Sequence, residues 1–164
     1  MPDTTLYRAY IALGSNLAQP EAQIIQAFDA LAQLPDTRLI TRSSLYRSAP
    51  VGYADQPDFI NAVARVETQL SPHDLLQSLL GIEQTFGRVR EFRNAPRTLD
   101  LDLLLYDDIQ FHETGLTLPH PRMHERAFVL MPLVEIDPTC VIPGRGQASD
   151  WLAQCDDQSI SRVL

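Results

Sequence analysis

Residues 97–108 read R-T-L-D-L-D-L-L-L-Y-D-D, a run of leucines that holds two aspartates. Because successive side chains of a β-strand point to opposite faces, this alternation predicts a strand over residues 99–106. One face of the strand is expected to hold Leu99, Leu101, Leu103 and Leu105. The other face holds Asp100 and Asp102, with their Cα atoms about 7 Å apart, so the two carboxylates are predicted to converge on one site.

The segments around this strand predict a β-α-β-β-α-β order. Strands are predicted at residues 7–13, 38–46 and 59–67, and helices at residues 20–34 and 71–86, with a turn at residues 14–16. Ser71 can cap the second helix, and Pro72 suits its first turn. We therefore expect an α+β fold with a ferredoxin-like core, a mainly antiparallel sheet with helices packed on one face. A C-terminal extension past residue 109 is expected to add short helical turns near residues 125–134 and 148–154.

Length and charge limit the classes of protein that this chain can belong to. With 164 residues and 45% hydrophobic content, we expect one domain over residues 1–164. The formal net charge of −8 disfavours nucleic acid as a partner, because such binding needs a basic face. No apolar run approaches the roughly 20 residues that span a bilayer, and residues 1–10 lack the pattern of a signal peptide. The expectation is a cytoplasmic monomer with small-molecule partners and no membrane contact.

All 13 basic residues are arginines, which restricts the possible chemistry. A P-loop and a pyridoxal phosphate Schiff base both need a lysine, so any phosphate site here must use guanidinium groups, backbone N–H groups or a metal ion. Four of the arginines lie in the predicted loop before the aspartate strand: Arg88, Arg90, Arg93 and Arg97. Such clustering in an acidic protein indicates a site for phosphate, although a solvated basic loop would have the same composition.

The paired aspartates predict a magnesium site. Two like charges on one strand face repel each other, and Mg²⁺ accepts one or two carboxylates while substrate phosphate and water complete its shell. Taken alone, such a short motif favours a charged edge strand that resists aggregation. The adjacent arginines favour the other interpretation, a metal and triphosphate site.

Several motifs resemble one family in the same order. The stretch R-N-A-P-R-T-L-D-L-D-L-L resembles the signature of the 6-hydroxymethyl-7,8-dihydropterin pyrophosphokinase family, and so do Y-I-A-L-G-S-N-L, D-Q-P-D-F-I-N-A-V, G-I-E-Q-T-F-G-R-V-R and L-P-H-P-R-M-H-E-R-A-F-V-L-M-P-L. The resemblance covers about residues 7–145. It implies a ferredoxin-like fold and transfer of the diphosphate of ATP to the pterin hydroxymethyl group, with release of AMP, as a step of folate biosynthesis.

The resemblance also implies a nucleotide site. Asp100 and Asp102 would hold two magnesium ions, and they form the expected catalytic set together with Arg88 and Arg97. The residues implied to bind ATP are Glu83, Arg88, Arg90, Arg97, Leu103, Thr117, His120 and Arg126. Of these, Leu103 and Thr117 would meet adenine largely through their backbone atoms.

A binding site for a pterin ring needs aromatic side chains that stack on its faces and a polar side chain that forms hydrogen bonds with its edge. Phe59 and Asn61 lie two apart on a predicted strand, so both project from the same face, and the carboxamide of Asn61 offers a donor and an acceptor. Without the resemblance, a core position is the preferred interpretation of Phe59. The pterin residues that the resemblance implies are Gly14, Ser48, Ala49, Val51, Phe59, Asn61, Asp100 and Phe128.

A second class of function stays open. The same fold serves sensors without catalytic activity, in which a bound nucleotide alters a partner. Such a sensor would bind ATP, would release no AMP when given the pterin, and would not need both aspartates. A nuclease with paired carboxylates is disfavoured by the acidic net charge.

Overall fold

The computed structural model describes residues 5–16, 19–49, 58–86 and 99–163. The elements follow in chain order: β1 (Tyr7–Ser15), α1 (Pro20–Ala32), β2 (Thr37–Arg42), β3 (Tyr46–Ser48), β4 (Phe59–Thr68), α2 (Pro72–Thr85), β5 (Asp100–Tyr106), β6 (Phe111–Glu113), β7 (Leu116–Leu118), a 3₁₀ turn (Met123–Glu125), α3 (Ala127–Ile136), β8 (Val141–Ile142), β9 (Gly146–Gln147), α4 (Ala148–Ala153) and β10 (Ile160–Arg162). The predicted β-α-β-β-α-β core and its extension are confirmed.

In the described part of the chain, the main sheet has the order β10-β3-β4-β1-β5, and β2 pairs with β4 beside β3. Every pairing in it is antiparallel. The predicted strand 38–46 is two strands, because Ser43 to Leu45 separate β2 from β3. The turn predicted at residues 14–16 comes later than expected, since β1 continues through Ser15 while it pairs with β4. The paired part of β1 therefore includes Gly14 and Ser15.

The first two helices form the core with one face of the sheet. Leu31 of α1 and Leu79 of α2 are fully buried among apolar side chains of β1, β4 and β5. Helix α2 starts as predicted, because the Ser71 hydroxyl accepts a hydrogen bond from the Asp74 backbone N–H at 3.2 Å and Pro72 occupies the first turn. Among the residues that the structure describes, no helix combines the length and apolar character needed to cross a membrane.

Helices also cover the second face, so the expectation of helices on one face only is wrong. Leu130 and Leu133 of α3 pack with Tyr10 and Val63 of the sheet in a second buried cluster. The short helix α4 belongs to this layer through Ala148. The physical reason is that β1 also carries apolar side chains on its second face, Tyr10 and Ala12, and β4 adds Val63 there, so the C-terminal extension buries a surface that would otherwise meet water.

The prediction that Leu105 shares a face with Leu103 is also wrong. Ile11 of β1 opposes Leu103, whereas the preceding Tyr10 opposes Leu105, so Leu104 is an extra residue in β5. This β-bulge reverses the alternation of side chains. Leu105 therefore packs with Leu104 in the second cluster, under α3, while the earlier leucines remain on the side of α1 and α2.

Candidate active site

A cavity of about 600 Å³ opens where β1, β3, β4 and β5 meet the start of α3. The structure brings together in its wall every described residue that was predicted for the pterin: Gly14, Ser48, Ala49, Phe59, Asn61, Asp100 and Phe128. Val51, the remaining member of that set, lies outside the described residues. We call this space the first cavity.

Gly14 forms the floor of the first cavity because the sheet registers place it between two predicted site residues. It pairs with Asn61 of β4 on one side and with Asp100 of β5 on the other. A Cβ atom at Gly14 would lie 3.6 Å from Asn61 Oδ1 and 4.0 Å from Phe59 Cδ1. These are ordinary contact distances, so a methyl group would fit the backbone but would occupy the floor that a flat ligand needs.

Asn61 is held in a fixed orientation at the wall of this cavity. Its side chain is only 4% exposed, and Nδ2 donates a hydrogen bond to Ser48 Oγ at 2.7 Å. Ser48 comes from β3, which pairs with this end of β4 and places Ser48 opposite Phe59. The orientation of the carboxamide is therefore fixed by a neighbouring strand, as a residue that reads the edge of a heterocycle requires.

The opposite wall comes from the start of α3. Phe128 is half-buried there, and the guanidinium carbon of Arg126 lies 5.6 Å from the centre of its ring, a cation–π contact. Arg126 lines the first cavity, although the sequence predicts it for the nucleotide. Phe59 and Phe128 thus supply aromatic surface to the same space from two separate elements.

A second cavity of about 340 Å³ adjoins the first. It is lined by three residues that were predicted for the nucleotide, Leu103, Thr117 and His120. Asp102 lines both cavities, whereas Asp100 lines only the first of them. Asp102 therefore stands at the boundary between the predicted pterin space and the predicted nucleotide space, and Asp100 lies on the pterin side.

His120 is neutral in this environment. Burial first, and then the positive charges of Arg126 and Arg122, lower its pKa from 6.5 to about 4, although the nearby Asp100 acts in the opposite direction. Nδ1 accepts a hydrogen bond from the Arg122 backbone N–H at 3.2 Å, so the single ring proton belongs on Nε2. The His120 backbone N–H donates to the Leu104 carbonyl at 2.9 Å, which fixes this segment beside β5.

Glu83 lies behind the aspartate strand and lines neither cavity. Its side chain is 1% exposed, and its Oε2 accepts a hydrogen bond from the Leu101 backbone N–H at 2.7 Å. The sequence predicts a nucleotide contact for this carboxylate. The structure places it where it supports the backbone between Asp100 and Asp102.

The pair of aspartates fits a magnesium ion. Within the described ranges, no group of three or more His, Cys, Asp or Glu side chains could hold a metal by itself. Mg²⁺ needs only one or two carboxylates when phosphate oxygens and water complete its shell, and Asp100 and Asp102 supply two from one strand face. The arginines expected to hold that phosphate, Arg88, Arg90 and Arg97, lie outside the described residues.

Sequence reasoning missed several residues of the first cavity. Arg122, Glu125, Gln158 and Ser159 all contribute to its wall. Two of them come from the extension beyond α4, where the sequence has no strong periodicity and no motif. Of these two, Gln158 forms hydrogen bonds with a distant part of the chain, at Glu125 and Ala127, and these bonds indicate a role.

Comparison with known proteins identifies the family. Residues 10–138 match the family described as 7,8-dihydro-6-hydroxymethylpterin-pyrophosphokinase (HPPK). The chain is 48% identical to the 2-amino-4-hydroxy-6-hydroxymethyldihydropteridine pyrophosphokinase of Pseudomonas aeruginosa over 96% of this chain and 98% of that protein. It is 47% identical to the protein of the same name from Haemophilus influenzae, over 94% and 97% of the two chains.

A solved structure shares the fold. The crystal structure of Plasmodium falciparum HPPK-DHPS A437G with STZ-DHP superimposes with a TM-score of 0.72 at 13% sequence identity. The match covers 92% of this chain and 45% of that one, so this chain spans less than half of the longer protein. On the evidence of the matched residues and the close relatives, the chain belongs to the 7,8-dihydro-6-hydroxymethylpterin-pyrophosphokinase family.

Proposed function

We propose that this chain transfers the diphosphate of ATP to the hydroxymethyl group of 6-hydroxymethyl-7,8-dihydropterin, giving AMP and the pterin diphosphate in folate biosynthesis. The observation that carries the proposal is that Asp102 lines both cavities, the first built from the residues predicted for the pterin and the second from those predicted for the nucleotide. Two substrates bound in these spaces would meet at the aspartates. Membership of the family and the names of the close relatives support the same reaction.

The first cavity suits the pterin. Phe59 and Phe128 offer aromatic faces from β4 and α3, and Asn61 offers a fixed carboxamide to the polar edge of the ring. Gly14 leaves the floor open to a flat heterocycle. In this arrangement the hydroxymethyl group would point toward Asp100 and Asp102.

The second cavity suits the nucleotide. Leu103 and Thr117 line it and would meet adenine, while the neutral His120 would donate its Nε2–H to a phosphate oxygen. Arg126 stands at the boundary of the first cavity, where its guanidinium would bind phosphate. Glu83 would act through the backbone of β5, and Arg88, Arg90 and Arg97 would bind the remaining phosphate oxygens.

In the reaction, the substrate hydroxyl oxygen forms a bond to the β-phosphorus while the bond from that phosphorus to the α-phosphate oxygen breaks, and AMP leaves. Asp102 lines both spaces and is the proposed acceptor of the hydroxyl proton. Asp100 and Asp102 would hold two Mg²⁺ ions, which when bound would offset the phosphate charge and favour ionisation of the hydroxyl. Arg88 and Arg97 would stabilise the charge that develops on the phosphates.

The proposal extends to a monomeric, cytoplasmic enzyme with ATP and the pterin as partners. Its competitor is a sensor that binds nucleotide without turnover. The test is incubation of the purified protein with ATP, Mg²⁺ and the reduced hydroxymethylpterin, followed by detection of AMP. We expect AMP only when all three are present. Binding of ATP without any release of AMP would support the sensor and reject the enzyme.

A further inference from the structure

Gln158 forms two hydrogen bonds that join the C-terminal segment to the start of α3. Its Oε1 accepts from the Ala127 backbone N–H at 2.9 Å, and its Nε2 donates to the Glu125 carbonyl at 2.7 Å. One carboxamide therefore binds the backbone on both sides of Arg126. Gln158 itself lines the first cavity.

These bonds supply a helix cap from a distant part of the chain. Arg126 is the N-cap residue of α3, and its side chain caps no N–H group. The first N–H groups of a helix have no partner within the helix, and Ala127 carries one of them. Because Gln158 satisfies this group, it fixes the point where α3 begins and the direction in which Arg126 and Phe128 leave the backbone.

The same segment is fixed to the opposite wall of the cavity. Two residues after Gln158, Ile160 of β10 pairs with Ser48 of β3, and the Val163 backbone N–H donates to the Leu45 carbonyl at 2.7 Å. Ser48 in turn accepts the hydrogen bond from Asn61. The segment 158–163 thus spans from the wall that carries Phe128 to the wall that carries Asn61.

We propose that Gln158 is a positioning residue of the pterin site, which sets the separation of the two walls by bonding to the backbone on either side of Arg126. The inference rests on the proposed function, because it assigns the first cavity to the pterin. Gln158 does not need to touch the reacting atoms. Its effect is on how well Phe128 and Arg126 are placed before the pterin arrives.

The test compares three variants of the full chain. Gln158→Ala removes both hydrogen bonds, and Gln158→Met removes them while keeping a side chain of similar length. Gln154→Ala is the matched control, since Gln154 is an exposed glutamine of the same extension and lines neither cavity. The measurements are KM for the pterin, KM for ATP, kcat, and the hydrogen-exchange rate of the Ala127 amide.

Both Gln158 variants should raise the KM for the pterin about threefold to tenfold, the range expected for the loss of one or two ordinary hydrogen bonds. We expect kcat to change less than twofold, the KM for ATP to change less than the KM for the pterin, and the Ala127 amide to exchange faster. The Gln154→Ala control should match the wild type. Rescue of the pterin KM in Gln158→Met would assign the effect to packing and overturn the hydrogen-bond proposal.

Two further outcomes would overturn the inference. An unchanged pterin KM in both Gln158 variants would mean that the start of α3 is fixed without this residue. An equal rise in the KM for the pterin and in the KM for ATP, together with a lower Tm, would mean that Gln158 only stabilises the fold. Failure of the proposed function is distinguishable from these two outcomes, because the wild type itself would then release no AMP. The exchange rate of the Ala127 amide would still show whether its hydrogen bond to Gln158 forms.

Discussion

Leu101 donates its backbone N–H to the buried carboxylate of Glu83, with 2.7 Å between the nitrogen and Oε2. Leu101 lies between Asp100 and Asp102 in β5, and Glu83 lies in α2. A helix on one side of the sheet therefore fixes the short piece of strand that presents both aspartates to the cavities. We therefore propose that Glu83 acts on the site indirectly, through the backbone of β5.

Replacing Glu83 should damage both the stability and the activity. For Glu83→Ala we expect the free energy of unfolding to fall by about 1–3 kcal/mol, because the Leu101 N–H loses its buried acceptor. Turnover should fall by up to about 10²-fold, because the aspartates are then misplaced. Urea unfolding and steady-state rates measure the two effects. Gln84→Ala, at the exposed neighbour on α2, is the control, and wild-type turnover in Glu83→Ala would refute the role.

Removing either aspartate should abolish turnover without unfolding the protein. Asp100 and Asp102 are half-buried at the cavity walls and contribute to neither apolar cluster, so Asp100→Ala and Asp102→Ala remove ligands rather than packing. We expect AMP release to fall at least about 10²- to 10³-fold, the range for removal of one electrostatic element of an active site. Asp108→Ala, an exposed carboxylate just beyond β5, should remain fully active. Near-normal rates in either site variant would reject the magnesium hypothesis.

Asn61→Ala should weaken the binding of the pterin and spare ATP. The variant loses the carboxamide that Ser48 orients toward the first cavity, at a cost of about 1–3 kcal/mol in pterin affinity if a ring-edge group then lacks its partner. Calorimetric titration with each substrate measures the two affinities. Gln69→Ala removes an exposed carboxamide just beyond the same strand and is expected to change neither. Equal weakening of both substrates in Asn61→Ala would contradict a separate pterin cavity.

His120 should make the folded protein less stable in acid. Its pKa is about 4 in the folded protein, whereas its ordinary value is 6.5. Between pH 4 and pH 6.5, His120 is therefore protonated in the unfolded chain and neutral in the folded protein. The unfolding free energy of the protein without metal or nucleotide should therefore decrease from about pH 6.5 toward pH 4, more steeply than in His120→Gln. Urea titrations at several pH values test this. A His120 NMR titration with a midpoint near 6.5 would contradict it.

Most of the fold could be predicted from local patterns. The alternation in residues 99–106 and the Ser71-Pro72 helix start both correspond to observed elements. The position of Leu105 could not be predicted, because the bulge at Leu104 depends on pairing with β1, which is a tertiary contact. The covering of the second sheet face was missed for a similar reason, since the extension has weak periodicity.

The candidate site also contains residues that local sequence patterns predict and residues that they do not. Residues on strands with clear alternation, such as Asn61 and Asp100, come together in the structure as the sequence suggests. Glu83 and Gln158 form hydrogen bonds with backbone groups of residues that are 18 and 31 positions away. Sequence spacing does not predict contacts of this kind. Their roles follow only from the folded arrangement.

The most direct test follows the phosphates of ATP labelled at either the α or the γ position. If the diphosphate of ATP is transferred, the γ label appears in a pterin diphosphate, the α label stays in AMP, and the two products form in equal amounts. In Asp102→Ala both labels should remain in ATP. Formation of ADP with a pterin monophosphate would contradict attack at the β-phosphorus. Wild-type protein that binds ATP and transfers no label to the pterin would contradict the proposed pyrophosphokinase activity.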